Sequence, residues 1–396
     1  MDHEDIQVLL EGEELHESYM KRHAAKQQAL INKWEFYLDG HKFGLKPIPE
    51  KLWAPMSVIF ENQLLASSRP KSEQQLTGAL DLPAKWTLPM VRSIFPDLFI
   101  LKICALQPFA PDSGGVGTIF YQDILREQKS GQNITVPDSN YSVGTEGSVP
   151  KRLRMTIVKE TIETTKEILA ATWSTEVMED ARSAMGLNVE SELLSAAADE
   201  IQRAFEQRIL AAILAGAGAG NVDWHTTIDE GVSTKDWAET LSHAFIEAED
   251  AIFGYRYRKA DYIVCGRNVT KWLRKSQTFL PAPVNQLGTN PYTLGVEMVG
   301  TLTGMWDVYT TVYLNENKAI MGCYPRSVTD AGYIFSPYIP IAPMPLVYAE
   351  YVYDEDSSGA PHGMYRNTDM WSRNIRSRNG HRLAVPELFA TVSLVS

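Results

Sequence analysis

The stretch Asp330–Tyr348, "DAGYIFSPYIPIAPMPLVY", poses the central question of the fold. Its aromatic and β-branched residues favour an extended chain. Pro337, Pro340, Pro343 and Pro345 oppose that reading, because each lacks the N–H that a strand donates to its ladder. A central strand tolerates few such positions, so the sequence predicts an irregular aromatic ribbon here instead of a paired strand.

Around it lies a chain of ordinary globular composition. Its 396 residues are 44% hydrophobic and 22% charged, enough for two or three compact units. The net charge of -12 disfavours a protein that grips nucleic acid over its whole surface, since phosphate contacts need a cationic footprint. Any contact with DNA is expected to be local or indirect. Cys104, Cys265 and Cys323 are odd in number and far apart, which predicts neither a disulfide framework nor a paired-cysteine zinc site and suits a reducing compartment. The opening "MDHEDIQVLLEGEELHE" has seven acidic residues and no Lys or Arg through Glu17, the reverse of a secretory signal. The apolar run "ILAAILAGAGAG" from Ile209 is shorter than the ~20 residues that cross a bilayer, so no membrane contact is expected.

Residues 1–38 carry a helical pattern that Gly40, Gly44 and two prolines end. Trp53–Gly78 is mixed and polar, with no clear element. From Leu82 to Gly115 the text reads as short apolar strands broken by Pro89, Pro96, Pro108 and Pro111. Gly117–Gln128 ("GTIFYQDILREQ") and Lys151–Ile168 ("KRLRMTIVKETIETTKEI") then alternate with a two-residue period, as in Leu153, Met155 and Ile157 against Arg152, Arg154 and Thr156. They read as partner strands. The Gly-, Ser- and Asn-rich segment between them has little to bury and predicts a projecting hairpin. Asn188–Ala215 places Leu194, Ala198, Ile201, Phe205, Ile209 and Ala212 on one helical stripe, with Asn188 as N-cap and "GAGAG" as the stop. Such a helix would run about 40 Å and could serve as a spine for a sheet. Thr234–Gly332 mixes helix and strand patterns and predicts an α+β unit.

Motifs of chemistry are sparse. "GAGAGN" at Gly216 follows a helix instead of joining a strand to one, so its glycines end that helix and cradle no phosphate. "SVPK" at Ser148 has the spacing of a serine–lysine nucleophile but lacks the companion motifs. "DEDSSG" at Asp354 starts like a calcium loop, yet Tyr365 stands where a bidentate Glu is needed. No HExxH pair occurs, and His16 and His23 fall on the N-terminal helical pattern as surface residues. No catalytic, metal or cofactor residues are therefore expected. "SRNIRSRNGHR", Ser372–Arg382, carries Arg373, Arg376, Arg378 and Arg382. This basic run reads either as the solvated face of a strand or as a patch facing another subunit or DNA.

Three passages carry a family resemblance: "LPMVRSIFPDL" (Leu88–Leu98), "ALQPFAPDSGGVGTIFYQD" from Ala105, and Thr301–Ile341, which leads into the proline-rich ribbon. With the order of features over residues 85–395, the chain resembles the major capsid proteins of tailed bacteriophages with the Hong Kong 97-type fold, above all those of large contractile-tailed phages. The resemblance implies an α+β fold with an N-terminal arm (1–84), a peripheral domain (85–116, 165–233 and 333–396), an extended loop (117–164) and an axial domain (234–332). The ribbon would return the chain from axial to peripheral domain. It also implies a non-enzymatic subunit that joins itself in hexamers and pentamers of an icosahedral head. That head would be assembled in the host cytoplasm with scaffold, portal and decoration proteins, around double-stranded DNA held without sequence-specific contacts. Arg126, Lys129, Lys151, Arg152 and Arg154, at the base of the loop, are the expected charged contacts to neighbouring subunits. An encapsulin-like nanocompartment shell and a nucleic-acid-associated structural protein are the alternatives.

Overall fold

A computed structural model describes residues 24–40, 47–68, 88–89, 91–92, 95–111, 113, 115–127, 133–134, 152–185, 189–281, 295–348, 350–355, 361–366 and 369–395. Its helices and strands form an α+β protein built on two main sheets.

The proline-rich stretch departs from its expected form. Tyr333–Val347 is a single strand, β12, in a four-stranded sheet ordered β1 (Ala105–Leu106), β12, β15 (Met370–Leu383) and β5 (Thr165–Ser174). Prolines enter it because the ladder to β15 shifts register three times, between Pro337 and Ile339, Ile339 and Ala342, and Pro343 and Leu346. Pro340 and Pro345 fall in these irregularities, where no N–H is called for. On the other side β1 pairs only with Ile334 and Phe335. Beyond β1, groups from outside the sheet reach the carbonyls of β12: Phe109 N–H donates to Pro337 O at 3.1 Å and the Gln63 side chain to Ile341 O. From within the sheet, Ser377 Oγ donates to Ile339 O at 3.3 Å.

From Tyr333 to Ile341 both faces of β12 are covered, which explains why its apolar residues there run on without alternation. Phe335 lies between Phe95 and Phe205, with ring centroids 6.1 and 6.4 Å away. On the opposite face Ile334, Tyr338 and Ile339 pack with Phe109, Ile119 and Ile162. Phe205 belongs to the expected spine helix, α5 (Val189–Gly216), which packs on β5 and β15 and buries Ile201, Phe205, Ile209 and Ile213. It ends at the glycine-rich stretch, where Gly218 N–H donates to Pro386 O at 2.8 Å. The expected N-cap Asn188 and the side chains of Leu194 and Ala198 lie outside the described residues. A further helix, α4 (Thr175–Met185), precedes it.

The polar text at Trp53 is a helix, α2 (Trp53–Ser68), packed against β12. Its inner face buries Met56, Ile59 and Phe60 together with Asn62 and Gln63, and those two amides broke the apolar period in the sequence. Asn62 Nδ2 donates to Phe109 O at 2.9 Å, and Gln63 reaches β12. A helix over residues 24–39, α1, joins α2 through Trp34 and Phe60, 5.5 Å apart, and through Lys33 and Glu61 at 2.6 Å. The described parts of the segment expected as an arm thus enter the main core. The strands expected before Gly115 are mostly absent from the described residues there. Phe95–Asp97 is a 3-10 turn, Ile100–Ile103 a short helix, α3, and only β1 is extended.

The second sheet has seven strands in the order β6 (Asn221–His225), β16 (Phe389–Val395), β11 (Lys318–Gly322), β7 (Tyr262–Cys265), β10 (Trp306–Thr311), β9 (Val296–Leu302) and β8 (Phe279–Pro281). Helix α6 (Thr234–Arg256) lies on β6 and β16, and the short α7 (Arg267–Leu273) packs beside it and on β10. Ser233 caps α6 by accepting from Asp236 N–H at 3.3 Å. Two strands of this sheet, β6 and β16, come from outside the span 234–332. They bind the ends of the chain's second half into one body.

Replacing Phe205 with Asp would strand a carboxylate against Phe335. Phe205→Asp is expected to destabilise the subunit by about 3–5 kcal/mol. Thermal melting of purified subunits measures this, and an unchanged melting temperature would place Phe205 outside the core.

Candidate functional site

The expected partner strands are real. β2 (Val116–Glu127) and β4 (Arg152–Glu163) pair antiparallel from Val116 opposite Glu163 to Glu127 opposite Arg152, and a short β3 (Asn133–Ile134) adds to β2 at the far end. At ~3.4 Å per residue this ribbon is about 40 Å long. Lys151–Ile168, read as one strand, divides at Thr164: β4 ends at Glu163, and β5 turns into the four-stranded sheet at Thr165. A second, smaller hairpin joins β13 (Glu350–Glu355) to β14 (Pro361–Arg366). Asp354 of the "DEDSSG" motif pairs within it, opposite His362.

The ribbon is fixed at its root. Thr164 N–H donates to Gly115 O at 2.9 Å, closing the two strands where they leave the body. Gly115 has φ +95°, and a Cβ there would collide with Arg378 Nη2 and Thr164 Oγ1. A Cβ on Gly117 would run into the Phe109 ring, so that ring packs directly against the backbone of β2. Ile119 and Ile162, one from each strand, seat with Phe109 and Tyr338 in the apolar cluster under β12. The Gln107 amide adds a clamp: it donates to Phe120 O at 2.8 Å and to Val328 O at 2.7 Å, and accepts from Phe120 N–H at 3.1 Å. Above the root Val116 and Phe120 remain 49% and 44% exposed. A two-stranded ribbon with exposed apolar residues is marginal alone and gains from a covering surface.

The basic run of β15 passes beneath this root, and its arginines do not share one environment. Arg373 is buried; Arg376 and Arg378 are half-buried; Arg382 is exposed. The Arg378 guanidinium lies 5.5 Å from the Tyr338 ring, and Arg382 pairs with Glu160 of β4 at 2.7 Å, tying sheet to ribbon. A uniformly solvated face does not describe them. Arg126, Arg152 and Arg154 occupy the far end of the ladder, where Glu127 faces Arg152 and Leu125 faces Arg154. These three thus stand at the opposite end of the ladder from the root at Gly115 and Thr164. Lys129 and Lys151 lie outside the described residues.

Close to the root, on the other face of the sheet, Tyr333 OH and His381 Nδ1 lie 2.7 Å apart with their rings stacked. Burial, helped by Arg208, holds the His381 imidazolium pKa below its ordinary value. Arg208 itself pairs with Glu167, whose carboxyl is pushed up by burial against the pull of that arginine. Elsewhere the sequence offered no sign of a polar group joining α3 to β10. Lys102 reaches Asp307 at 3.5 Å and also the Tyr309 hydroxyl, while Tyr324 OH donates to Asp307 at 2.8 Å. Only the fold brings these distant residues together. Glu206, buried on the spine stripe, accepts from Phe99 N–H at 2.8 Å.

All three cysteines are buried, and burial raises their thiols, Cys323 to about 12. They are poor nucleophiles. Among the described residues no group of His, Cys, Asp and Glu could hold a metal ion, and no helix is long and apolar enough to cross a membrane.

Residues 138–363 match the family described as Major capsid protein Gp23. The major capsid protein of Vibrio phage KVP40 is 26% identical over 208 residues, which make up 48% of this chain and 40% of that protein. The major capsid protein of Enterobacteria phage T4 is 24% identical over 208 residues, again 48% of this chain and 40% of the relative. The matched stretch is thus well under two thirds of these relatives' length. A solved structure described as the capsid of cyanophage P-SCSP1u is similar at 10% identity, over 76% of this chain and 88% of that one, with a TM-score of 0.44.

The His381 site makes acid stability testable. Its folded pKa lies below the ordinary 6.5, so as pH falls through that value the unfolded chain takes up a proton that the folded chain resists. Stability from this group is full above the ordinary value and is lost on acidification, by at most about 1.4 kcal/mol per pH unit. Denaturant titrations from neutral to mildly acidic pH should show a shallower loss for His381→Gln than for the wild type. Identical slopes would contradict the assignment.

Proposed function

The chain belongs to the major capsid protein Gp23 family, and on that premise we propose that it is the shell subunit of a tailed-phage head, with the Hong Kong 97-type arrangement. The β2–β4 ribbon is the observation that carries this reading. It leaves the body at a glycine-fitted root, exposes Val116 and Phe120, and is two strands wide over most of its length, which is marginal as an independent unit. Such a ribbon serves as the extended loop that lies over a neighbouring subunit. The four-stranded sheet with α5 corresponds to the peripheral domain, and the seven-stranded sheet to the axial domain at the capsomer centre. Hexamers and pentamers of this subunit would close the head around double-stranded DNA, with scaffold, portal and decoration proteins as further partners and the virion as its place.

Charge supports the same reading. A subunit of net charge -12 offers packaged DNA no continuous cationic surface, so the wall contains the genome without binding it firmly. Arg126, Arg152 and Arg154, at the outer end of the β2–β4 ladder, together with Lys129 and Lys151, would meet acidic surface on the neighbour. Assembly should then weaken as salt screens those contacts. The subunit needs no catalytic step for this role.

Replacing residues 128–151 with a short Gly-containing turn tests the proposal. The shortened chain, expressed alone and with its scaffold, should melt like the full chain yet form no closed particles in negative-stain micrographs. Full-size particles of normal stability would refute the role of the ribbon. Particles of the full chain that enclose enzymes and no DNA would instead support an encapsulin-like compartment.

A further inference from the structure

Two surfaces of opposite charge stand at one end of the seven-stranded sheet. Register defines that end: Val395 lies beside His225, Lys318 beside Ser393 and Ala319 beside Cys265, whereas Asp307, which meets Lys102, pairs with Tyr262 at the other end. The loop from the edge strand β6 to α6 leaves from here, and residues 227–236 are all exposed. Ile228 and Val232 are 37% and 40% exposed, with Asp229 and Glu230 between them. A turn holds the loop in shape. Val232 N–H donates to Asp229 O at 3.2 Å, and Gly231 takes φ +86°.

Helix α7 and the residues after it carry the opposite sign. Arg267–Pro281 contains Arg267, Lys271, Arg274 and Lys275 and no acidic residue. Arg267 is taken up by Glu316, but Lys271, Arg274 and Lys275 are exposed, and among the described residues no carboxylate pairs with them. Lys271 Nζ donates to Asn268 Oδ1 at 3.1 Å, and Lys275 Nζ lies 4.0 Å from the centre of the Trp272 ring. That ring packs on Trp224 of β6, 5.2 Å away, so the cations stand on a firm support. Asp229 and Glu230 likewise pair with no described cation. Complementary charges left unpaired in one copy can be satisfied by the next, and such contacts fix partner and register. We infer that the Ile228–Val232 loop of one subunit docks on the Lys271–Lys275 surface of its neighbour, a contact that rests on reading the chain as a shell subunit with this sheet at the capsomer centre. Its carboxylates meet Lys271, Arg274 and Lys275, and its apolar residues lie towards Trp272. Loop and patch are different surfaces, so the contact is head-to-tail and runs round a ring instead of ending at a dimer.

Two charge reversals test the contact: Asp229→Lys with Glu230→Lys in the loop, and Lys271→Glu with Arg274→Glu and Lys275→Glu on the patch. All five residues are exposed, so both variants should melt like the wild type. Expressed with the scaffold and followed by sedimentation and native mass spectrometry, each should weaken capsomer association about tenfold or more. Both reversals in one chain should restore it. An equimolar mixture of the two variants should restore hexamers but no pentamers, because contacts between unlike copies close a ring only with an even number of members. Association of either variant at wild-type strength would overturn the inference and leave the shell reading intact. So would weakness confined to the patch variant, which would place another partner on the patch, or a doubly reversed chain no better than its parents. Restoration in that chain but not in the mixture would place the contact within one subunit and overturn it too. A wild-type chain that forms no capsomers would overturn both the contact and the reading beneath it.

Discussion

Strand β12 must satisfy its carbonyls while four of its residues can donate nothing, and much of the subunit is arranged around that constraint. The neighbouring strand β15 answers with polar residues. Ser377 bonds to the carbonyl of Ile339, and Asn379 Nδ2 in turn donates to Ser377 at 2.7 Å. The other edge is met by Gln63 of α2 and by the backbone of Phe109. A buried carbonyl left without a partner would cost about 1–3 kcal/mol, so the amides of α2 and the serine and asparagine of β15 stabilise the sheet as directly as its apolar residues do.

The same strand separates two apolar layers. Phe335 faces the spine helix through Phe205, while Ile334, Tyr338 and Ile339 face Phe109 and the root of the ribbon. Any shift of β12 is therefore felt both by the body and by the element that leaves it. Gly115, Gly117 and Gly380 let Phe109 and Arg378 approach the backbone at the root, which sets the direction of exit.

Charge is organised in a comparable way. Arg382 with Glu160 and Arg208 with Glu167 tie together elements that separate at Thr164, one pair between β15 and the ribbon, the other between the spine helix and β5. Such half-exposed pairs contribute modestly to stability, and their value lies more in orientation. The buried arginine of the same strand, Arg373, shows that a basic run in sequence does not define a basic surface.

Local pattern was enough for the elements whose causes are local. The 3.6-residue stripe with Phe205 and Ile209 marked the spine helix, because that helix buries one face, and two-residue alternation marked β2 and β4, because the pleat of paired strands sends successive residues to opposite faces. Glycines after Ala215 marked the end of that helix because a residue without a Cβ favours the cap over a further turn. The family likeness was also legible, and Thr301–Ile341, one of the passages that carried it, lies within the matched residues 138–363. Tertiary structure alone decided the rest. β12 became a strand because bulges and outside donors removed the penalty that its prolines impose in isolation. α2 became a helix although Asn62 and Gln63 interrupt its apolar face, since those amides bond to Phe109 and Ile341, far away in the chain. Arg373, Arg378 and Arg382 of β15 were divided among core, ring and ion pair by neighbours that no spacing along the chain reveals. Hydrogen-bond partners distant in sequence settle these cases, and a linear pattern records only what neighbouring residues do to one another.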